Sequence, residues 1–142
     1  IKGIKESPEF INTMVVKEIT IQENPCFSAG PKNFYLASPV LIKRKEESGR
    51  IKHYLYNQKE ADFLLTETLK NKLRSAGLSN EGVEVAFQRD YAKAKTKLIS
   101  YKGIQNKTNM CPVIIKGSTE QLDFAWNVGV GNSTGIGFGA IK

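Results

Sequence analysis

The chain has 142 residues, 40% hydrophobic and 25% charged, which is typical of one globular domain or of one domain plus part of another. Its 21 basic and 14 acidic side chains give a formal net charge of +7, which favours a phosphate-bearing partner over a basic one. The apolar runs are too short to span a membrane, and no signal-peptide pattern is present. Cys26, Cys111 and His53 are too few for a four-ligand structural zinc site or a disulfide framework. We therefore expect no metal, no cofactor and no membrane contact, and a reducing, cytoplasmic compartment.

The first third of the chain predicts a domain joint followed by a hairpin. SPEFINTM predicts a helical turn, VVKEITIQ alternates like a half-buried strand, and residues 24–33 contain the Asn, Pro, Ser and Gly of a loop. FYLASPVLIKRK predicts a central strand buried on both faces, with a bulge or an edge at Pro39. RIKHYLY predicts its hairpin partner. Because the chain begins at Ile1 rather than Met, we expect it to be cut from a longer protein.

Two helices and four further strands follow. The spacing of leucines predicts a helix over Asn57–Ala76, with Asn57 as N-cap and Gly77 after its end. GVEVAF, TKLISYKGI and CPVIIKG predict strands, and Ser118 with Gln121 forms a capping box for a helix that buries Trp126. GIGFGAIK predicts a glycine-rich last strand that places Gly137 centrally in the sheet. When two hairpin strands are left aside, the remaining order is βαββαβ. This order predicts an α+β, ferredoxin-like domain: an antiparallel sheet with two helices on one face.

The most specific local signal is the glycine-rich loop, defined here as GVGNSTGIGFGA, residues 129–140. Glycines let backbone N–H groups approach a phosphate, and the N-S-T segment adds short polar side chains. The loop follows a helix instead of opening one, and it contains no Lys. It is therefore neither a Walker loop nor a dinucleotide fingerprint. The alternative is a helix C-cap with a tightly packed strand. The candidate RNA-binding residues here are Gly129, Gly131, Asn132, Ser133, Thr134, Gly135 and Gly137.

A second candidate surface is the basic segment between residues 89 and 97, which also contains Tyr91. The alternating Arg89, Lys93, Lys95 and Lys97 predict one edge of a strand that faces RNA, or else a solvated loop. His53 is a weak candidate for a general base, because Lys52 and Tyr54 point to the opposite face of its strand.

The tail has the form G-Φ-G-x(5)-G-Φ-G-Φ after a helix, which resembles the signature of the repeat-associated mysterious protein (RAMP) superfamily. Within it, the chain is most similar to the CRISPR-associated endoribonucleases that cut repeat RNA into guide RNAs. FYLASPVLIKRK, KEADFLLTETLKNKL, ISYKGI and PVIIKGSTEQLDFAWNVGVG also resemble segments of that group. Family members often carry Lys within the loop, where this chain has Ser133.

The resemblance implies two tandem ferredoxin-like domains. Residues 1–30 would then be the remnant of the N-terminal domain and a linker, and residues 31–142 the C-terminal domain. It also implies CRISPR repeat RNA as substrate, other effector subunits as possible partners, and metal-independent attack of the ribose 2′-OH on the adjacent phosphate. The family's catalytic histidine would precede Ile1. Two alternatives remain open: a non-catalytic RAMP subunit that scaffolds guide RNA, and a plain ferredoxin-like interaction module.

Overall fold

The computed structural model describes residues 27–142. The predictions for SPEFINTM, VVKEITIQ and Cys26, and almost all of the predicted domain remnant 1–30, lie outside these residues. Seven strands, two α-helices and one 3₁₀ turn are present in the described part. In chain order they are β1 (Gly30–Phe34), β2 (Lys43–Lys45), β3 (Ile51–His53), α1 (Glu60–Ser75), β4 (Glu84–Phe87), β5 (Lys95–Tyr101), β6 (Ile104–Met110), β7 (Val113–Gly117), α2 (Thr119–Val128) and the turn Thr134–Ile136.

The main sheet has the ferredoxin-like strand order. β7 lies between β1 and β4 and is antiparallel to both, so that Ile115 stands opposite Lys32 on one side and Val85 on the other. The C-terminal residues extend β1 on its outer side through a bridge between Leu36 and Ile141. The order C-terminus, β1, β7, β4, connected through α1 and α2, confirms the predicted βαββαβ domain.

Both helices pack on the same face of this sheet. The leucine stripe of α1 and the apolar side of α2 cover the inward side chains of β4 and β7. Trp126 packs on Phe27 and Phe34, with ring centroids 5.8 and 6.2 Å away, so its predicted core position is confirmed. Neither helix in residues 27–142 is both long and apolar enough to cross a membrane.

The prediction of one continuous strand over FYLASPVLIKRK is wrong. β1 ends at Phe34, and Val40 instead bridges to Asn109 of β6 before β2 begins at Lys43. Pro39 has no N–H to donate to a ladder, and its carbonyl accepts a bond from the Gly139 N–H at 2.7 Å. The chain bends near Pro39, so that the residues before it pair with the main sheet and Val40, after it, pairs with β6.

The predicted start of the first helix is also wrong. α1 begins at Glu60, and Asn57 lies in the preceding turn, where the Gln58 side-chain oxygen accepts the Leu55 N–H at 2.6 Å. The predicted stop at Gly77 is confirmed by its φ of 77°.

The capping box of the second helix is confirmed in both directions. Ser118 Oγ accepts the Gln121 N–H at 3.2 Å, and Gln121 Oε1 accepts the Ser118 N–H at 2.9 Å.

The predicted last strand, GIGFGAIK, forms a 3₁₀ turn and further turns, and only Ile141 bridges to the sheet. Gly137 and Gly139 have φ values of 108° and 73°, which are incompatible with an extended strand. The central strand position predicted for Gly137 is therefore wrong.

β6 was not predicted as a strand of its own. It pairs with β5 over seven residue pairs, from Lys95–Met110 to Tyr101–Ile104, around a turn at Lys102 and Gly103. Both turn residues have positive φ, 50° and 80°, as a two-residue type I′ hairpin requires. The polar composition of IQNKTNM conceals the strand, because Thr108 and Asn109 are buried despite being polar.

The side chain of Asn109 fastens this hairpin to the rest of the domain. Its Nδ2 donates to the carbonyls of Val40 and Tyr54, each at 3.2 Å, and its Oδ1 accepts the Tyr56 N–H at 2.7 Å. Asn109 is fully buried, and its backbone also exchanges two bonds with Val40, at 2.8 and 2.9 Å. One amide thus satisfies three backbone groups on two segments.

We expect Asn109→Ala to lower the free energy of unfolding by about 3 kcal/mol, because it removes the partner of the Tyr54 carbonyl and of the Tyr56 N–H, whereas the Val40 carbonyl keeps the Asn109 N–H. Asn127→Ala is the matched control, since that exposed amide bonds only within α2, to the Asp123 carbonyl at 2.9 Å. Urea unfolding of both variants measures the difference. Equal losses would contradict the fastening role of Asn109.

Candidate nucleic-acid interface

Three glycines of the glycine-rich loop are needed for packing within the chain. A Cβ added to Gly131 would lie 2.6 Å from the Leu41 carbonyl oxygen, and one added to Gly129 would lie 2.9 Å from that of Gly139. A Cβ on Gly139 would overlap the Val130 carbonyl oxygen. The backbone that comes close to these glycines is therefore the protein's own.

Gly135 and Gly137 differ from these three. Both are exposed, and a Cβ at either position would meet open space. Apart from those of its chain neighbours, no atom of the described residues comes within 4 Å of such a Cβ. Of the loop's glycines, these two have open space beside their Cα atoms, and the Gly137 N–H donates to the Thr134 carbonyl at 3.1 Å.

The polar side chains of the loop are occupied by contacts to neighbouring elements. Asn132 Oδ1 accepts the Lys43 N–H at 2.8 Å and Arg44 Nη1 at 3.2 Å. Thr134 Oγ1 accepts a bond from Lys72 Nζ at 3.1 Å. Ser133 has a left-handed φ of 58° and begins the 3₁₀ turn. Asn132 and Thr134 therefore fix the loop in place.

Lys72 is a loop contact that sequence reasoning missed. Its ammonium reaches from α1 to the Gly131 carbonyl at 3.0 Å and to Thr134, and burial lowers the pKa of Lys72 to about 8. In the sequence it was one of several basic residues near the end of a helix. The loop contains no Lys of its own, and α1 supplies this cation instead.

A groove of about 800 Å³ lies beside this contact, between β2 and the two helices. Lys43, Lys45 and Lys72 line it, together with an ion pair of 3.3 Å between Arg44 and Glu67. Arg44 also bonds to Leu64 and Thr68 of α1. Arg44 thereby joins β2 to α1.

The four basic residues predicted between 89 and 97 divide into two groups. Arg89 forms an ion pair of 2.6 Å with Asp62 and donates to the Gln58 carbonyl at 2.9 Å, so it joins the end of β4 to α1. Lys93, Lys95 and Lys97 are exposed and form no ion pair with any residue of 27–142. These three lysines are free to meet a phosphate.

The exposed face of β5 brings the two predicted surfaces together. Lys95, Lys97, Ile99 and Tyr101 alternate along the strand and therefore share one face. Ile99 and Tyr101 line a shallow groove of about 190 Å³ with the loop residues Ile136, Gly137 and Phe138. We call this surface, from Lys93 to the tip of the glycine-rich loop, the β5 face.

Acidic side chains are missing from the whole stretch around the β5 face. Between Asp90 and Glu120 the sequence contains no Asp or Glu. It contains six lysines over the same stretch: Lys93, Lys95, Lys97, Lys102, Lys107 and Lys116. Such a one-sided charge distribution attracts polyanions and repels acidic partners.

His53 lies in a small cleft with Arg50, Lys52 and Lys107. Its Nε2 is 3.4 Å from Asn106 Oδ1, a contact between β3 and β6. Sequence reasoning missed Lys107 as its neighbour, because the hairpin that brings Lys107 there was not predicted.

Cys111 is buried, and its thiol donates to the Gln88 carbonyl at 3.4 Å. Burial is the main cause that raises the pKa of Cys111 to about 11, so at neutral pH it is an unreactive thiol. Within residues 27–142, no three His, Cys, Asp or Glu side chains are grouped to hold a metal ion.

Comparison with known proteins places this geometry in a family. The family model for the CRISPR associated protein Cas6, C-terminal, matches residues 21–142. No characterised protein sequence matches the chain directly.

Solved structures share the fold at low sequence identity. A CRISPR associated protein Cas6 has a TM-score of 0.69 at 19% identity, covering 87% of this chain and 51% of its own. The product of a Cas6-related gene from Pyrococcus furiosus has a TM-score of 0.66 at 19% identity, covering 87% and 50%. An RAMP protein binding different RNA substrates has a TM-score of 0.65 at 20% identity, covering 87% and 51%. The chain thus spans about half the length of these proteins.

We expect Gly131→Ala to destabilise the fold by about 3 kcal/mol. An alanine at its φ of 84° costs about 1 kcal/mol, and the contact with the Leu41 carbonyl adds about 2 kcal/mol. Gly137→Ala is the control, because it has a similar φ penalty and no contact, and should cost about 1 kcal/mol. Urea unfolding measures both, and equal losses would show that the close approach to Leu41 is unimportant.

The burial of Lys72 makes the stability of the fold depend on pH. The folded pKa of Lys72, about 8, lies below its ordinary value of 10.5, so unfolded chains bind more protons between these values. Protonated Lys72 therefore lowers stability below pH 8, and this penalty disappears as the pH rises toward 10.5. The difference in the free energy of unfolding between the wild type and Lys72→Met should therefore increase over that window. The corresponding difference for the control Lys70→Met should increase less. Denaturant titrations at pH 7 and pH 10 measure this, and a flat difference for Lys72→Met would contradict it.

Proposed function

Because the chain belongs to the Cas6 family, as its C-terminal domain, we propose that it is the RNA-binding part of an endoribonuclease that cuts CRISPR repeat RNA into guide RNAs. The family relationship supports a role in binding CRISPR RNA. The endonuclease activity, its substrate and its independence of metal ions belong to the proposal.

One observation carries the RNA-binding part: the β5 face has exposed lysines and no carboxylate. Lys93, Lys95 and Lys97 follow one another along the chain at every second position, and the groove at Ile99 and Tyr101 continues the surface to the loop tip at Gly137. Phosphate contacts from lysines supply most sequence-independent affinity for nucleic acid, while aromatic and apolar side chains contact bases. The arrangement suits an extended strand of RNA.

The proposed cleavage needs a general base and a general acid. The ribose 2′-OH loses its proton and attacks the adjacent phosphorus, which forms a 2′,3′-cyclic phosphate, and the 5′-oxygen of the next nucleotide leaves and takes up a proton. His53 is the one imidazole of the chain, and its Nε2 contacts the Asn106 side chain, whereas the proposed reaction needs both a base and an acid. We therefore assign this chain the binding and positioning of RNA, and place the catalytic groups in the half that the solved relatives have in addition.

The sole histidine also favours a second candidate, a non-catalytic RAMP subunit that scaffolds guide RNA. Cleavage separates the two. The full-length protein is incubated with repeat RNA in EDTA, and a discrete product ending in a 2′,3′-cyclic phosphate supports the endoribonuclease. Tight binding without any cut supports the scaffold.

We expect replacement of Lys93, Lys95 and Lys97 by Ala to flatten the slope of log K against log salt by about 2, at about 0.7 for each single-strand phosphate contact. The control replaces Lys59, Lys70 and Arg74, on or next to α1, which removes the same charge. Fluorescence anisotropy with single-stranded repeat RNA over a salt series gives both slopes. If the slope of log K against log salt flattens equally in the two triple variants, the net charge of the chain determines RNA binding and the position of the lysines on the β5 face does not.

We expect His53→Ala to reduce cleavage by the full-length protein less than tenfold, because we place the catalytic groups in the half that the solved relatives have in addition. Single-turnover rates at saturating enzyme measure the chemical step. A loss of 10² or more, the size of a general acid–base contribution, would instead identify His53 as the catalytic base.

A further inference from the structure

A second cleft, of about 490 Å³, opens where the end of β1 meets the start of β5. Its walls include two tyrosine rings, Tyr35 and Tyr91, in edge-to-face contact with centroids 6.0 Å apart. Tyr35 is 58% exposed, which is far more than a ring that only fills the core. The cleft therefore offers aromatic surface to solvent.

The backbone beneath both rings is held in place. Tyr35 exchanges two backbone bonds with Lys142, at 3.0 and 2.8 Å, and the Tyr91 N–H donates to the Gln88 carbonyl at 3.1 Å. Aromatic rings on a fixed backbone lose little conformational freedom when a ligand stacks on them.

The rest of the cleft combines an apolar floor with basic side chains. Met110, Cys111 and Pro112 line the floor, and the Cys111 thiol is neutral at physiological pH. Lys93 and Lys95 also line the cleft, and no carboxylate does; Asp90, next to Tyr91 in the sequence, is not part of the lining. A flat, uncharged group with a phosphate beside it fits this combination.

We propose that this cleft binds one unpaired nucleobase of the RNA, stacked on Tyr35 or Tyr91, with the neighbouring phosphate against Lys93 and Lys95. The proposal rests on the RNA-binding function proposed above and adds a base-binding subsite to it. A base within a duplex is stacked on both sides, so only an unpaired nucleotide can place its face on a tyrosine.

The position of the cleft supports an extended strand as the occupant. Lys95 belongs both to the cleft and to the β5 face, and β5 has seven residues, which span about 23 Å. An RNA strand anchored by a base at Tyr91 would run past Lys97 to the groove at Ile99 and Gly137. A proline-rich peptide would also stack on tyrosines, but it would leave the lysines without a partner.

The test uses two RNA probes and three variants of the chain. The probes are a 12-nucleotide single strand with one central 2-aminopurine and a blunt-ended RNA duplex, which has no unpaired nucleotide. The variants are Tyr35→Leu, Tyr91→Leu and the control Phe63→Leu, whose ring is 68% exposed on α1. Melting curves of all three establish that the variants are folded.

Loss of stacking should weaken single-strand binding by about tenfold in at least one tyrosine variant, and leave duplex binding and the salt slope unchanged. Quenching of 2-aminopurine on binding to the wild type should diminish in the same variant, and Phe63→Leu should behave like the wild type. The quenching in the wild type is an independent readout should a tyrosine variant fail to fold.

Two results would overturn the subsite, and they are distinguishable from failure of the proposed function. Wild-type single-strand binding that depends on salt, but shows neither quenching nor sensitivity to the tyrosines, would leave RNA binding intact and remove the base subsite. A wild type that binds neither probe would overturn both, and capture of a proline-rich peptide by the Tyr35–Tyr91 cleft would then identify the other occupant.

Discussion

The position of the candidate interface depends on the buried side-chain amide of Asn109. It forms hydrogen bonds with backbone groups at Val40, Tyr54 and Tyr56, on two segments, and is the partner that the Tyr54 carbonyl and the Tyr56 N–H would otherwise lack. Unpaired groups of this kind are expensive, so the β5–β6 hairpin has one favourable place against the domain. That place sets Ile99 and Tyr101, at the far end of β5 from Lys95, beside the glycine-rich loop. The basic surface therefore depends on a polar contact in the core.

The two sides of the domain serve different purposes. On one side, α1 and α2 cover the sheet, and Arg44, Arg89 and Lys72 connect α1 to β2, to β4 and to the loop. On the other side, the β5 face has basic and apolar groups that make no ion pair within the described residues. The basic side chains that form internal contacts are thus distinct from those that are available to a ligand, although the sequence does not distinguish the two groups.

Much of the fold follows from the sequence because local signals agree with tertiary packing. The leucine stripe of α1, the Ser118–Gln121 capping box and the turn at Gly77 all rest on local spacing or backbone conformation. Where non-local contacts decide, the predictions fail: β6 is a strand because Asn109 finds partners far along the chain and Thr108 bonds across the hairpin to the Lys97 carbonyl. The loop glycines are required by approaches of Leu41 and Val130 that no local pattern reveals. Likewise, Arg89 and Lys93 differ only through Asp62, a residue of another element.

The central claim is that RNA lies along the β5 face. Hydrogen exchange of the chain with and without single-stranded repeat RNA, followed by mass spectrometry, tests it most directly. The account predicts slower exchange in peptides covering residues 91–101 and 134–138, and unchanged exchange over the exposed side of α1, residues 60–75. Protection concentrated on the helices, with residues 91–101 unaffected, would contradict it.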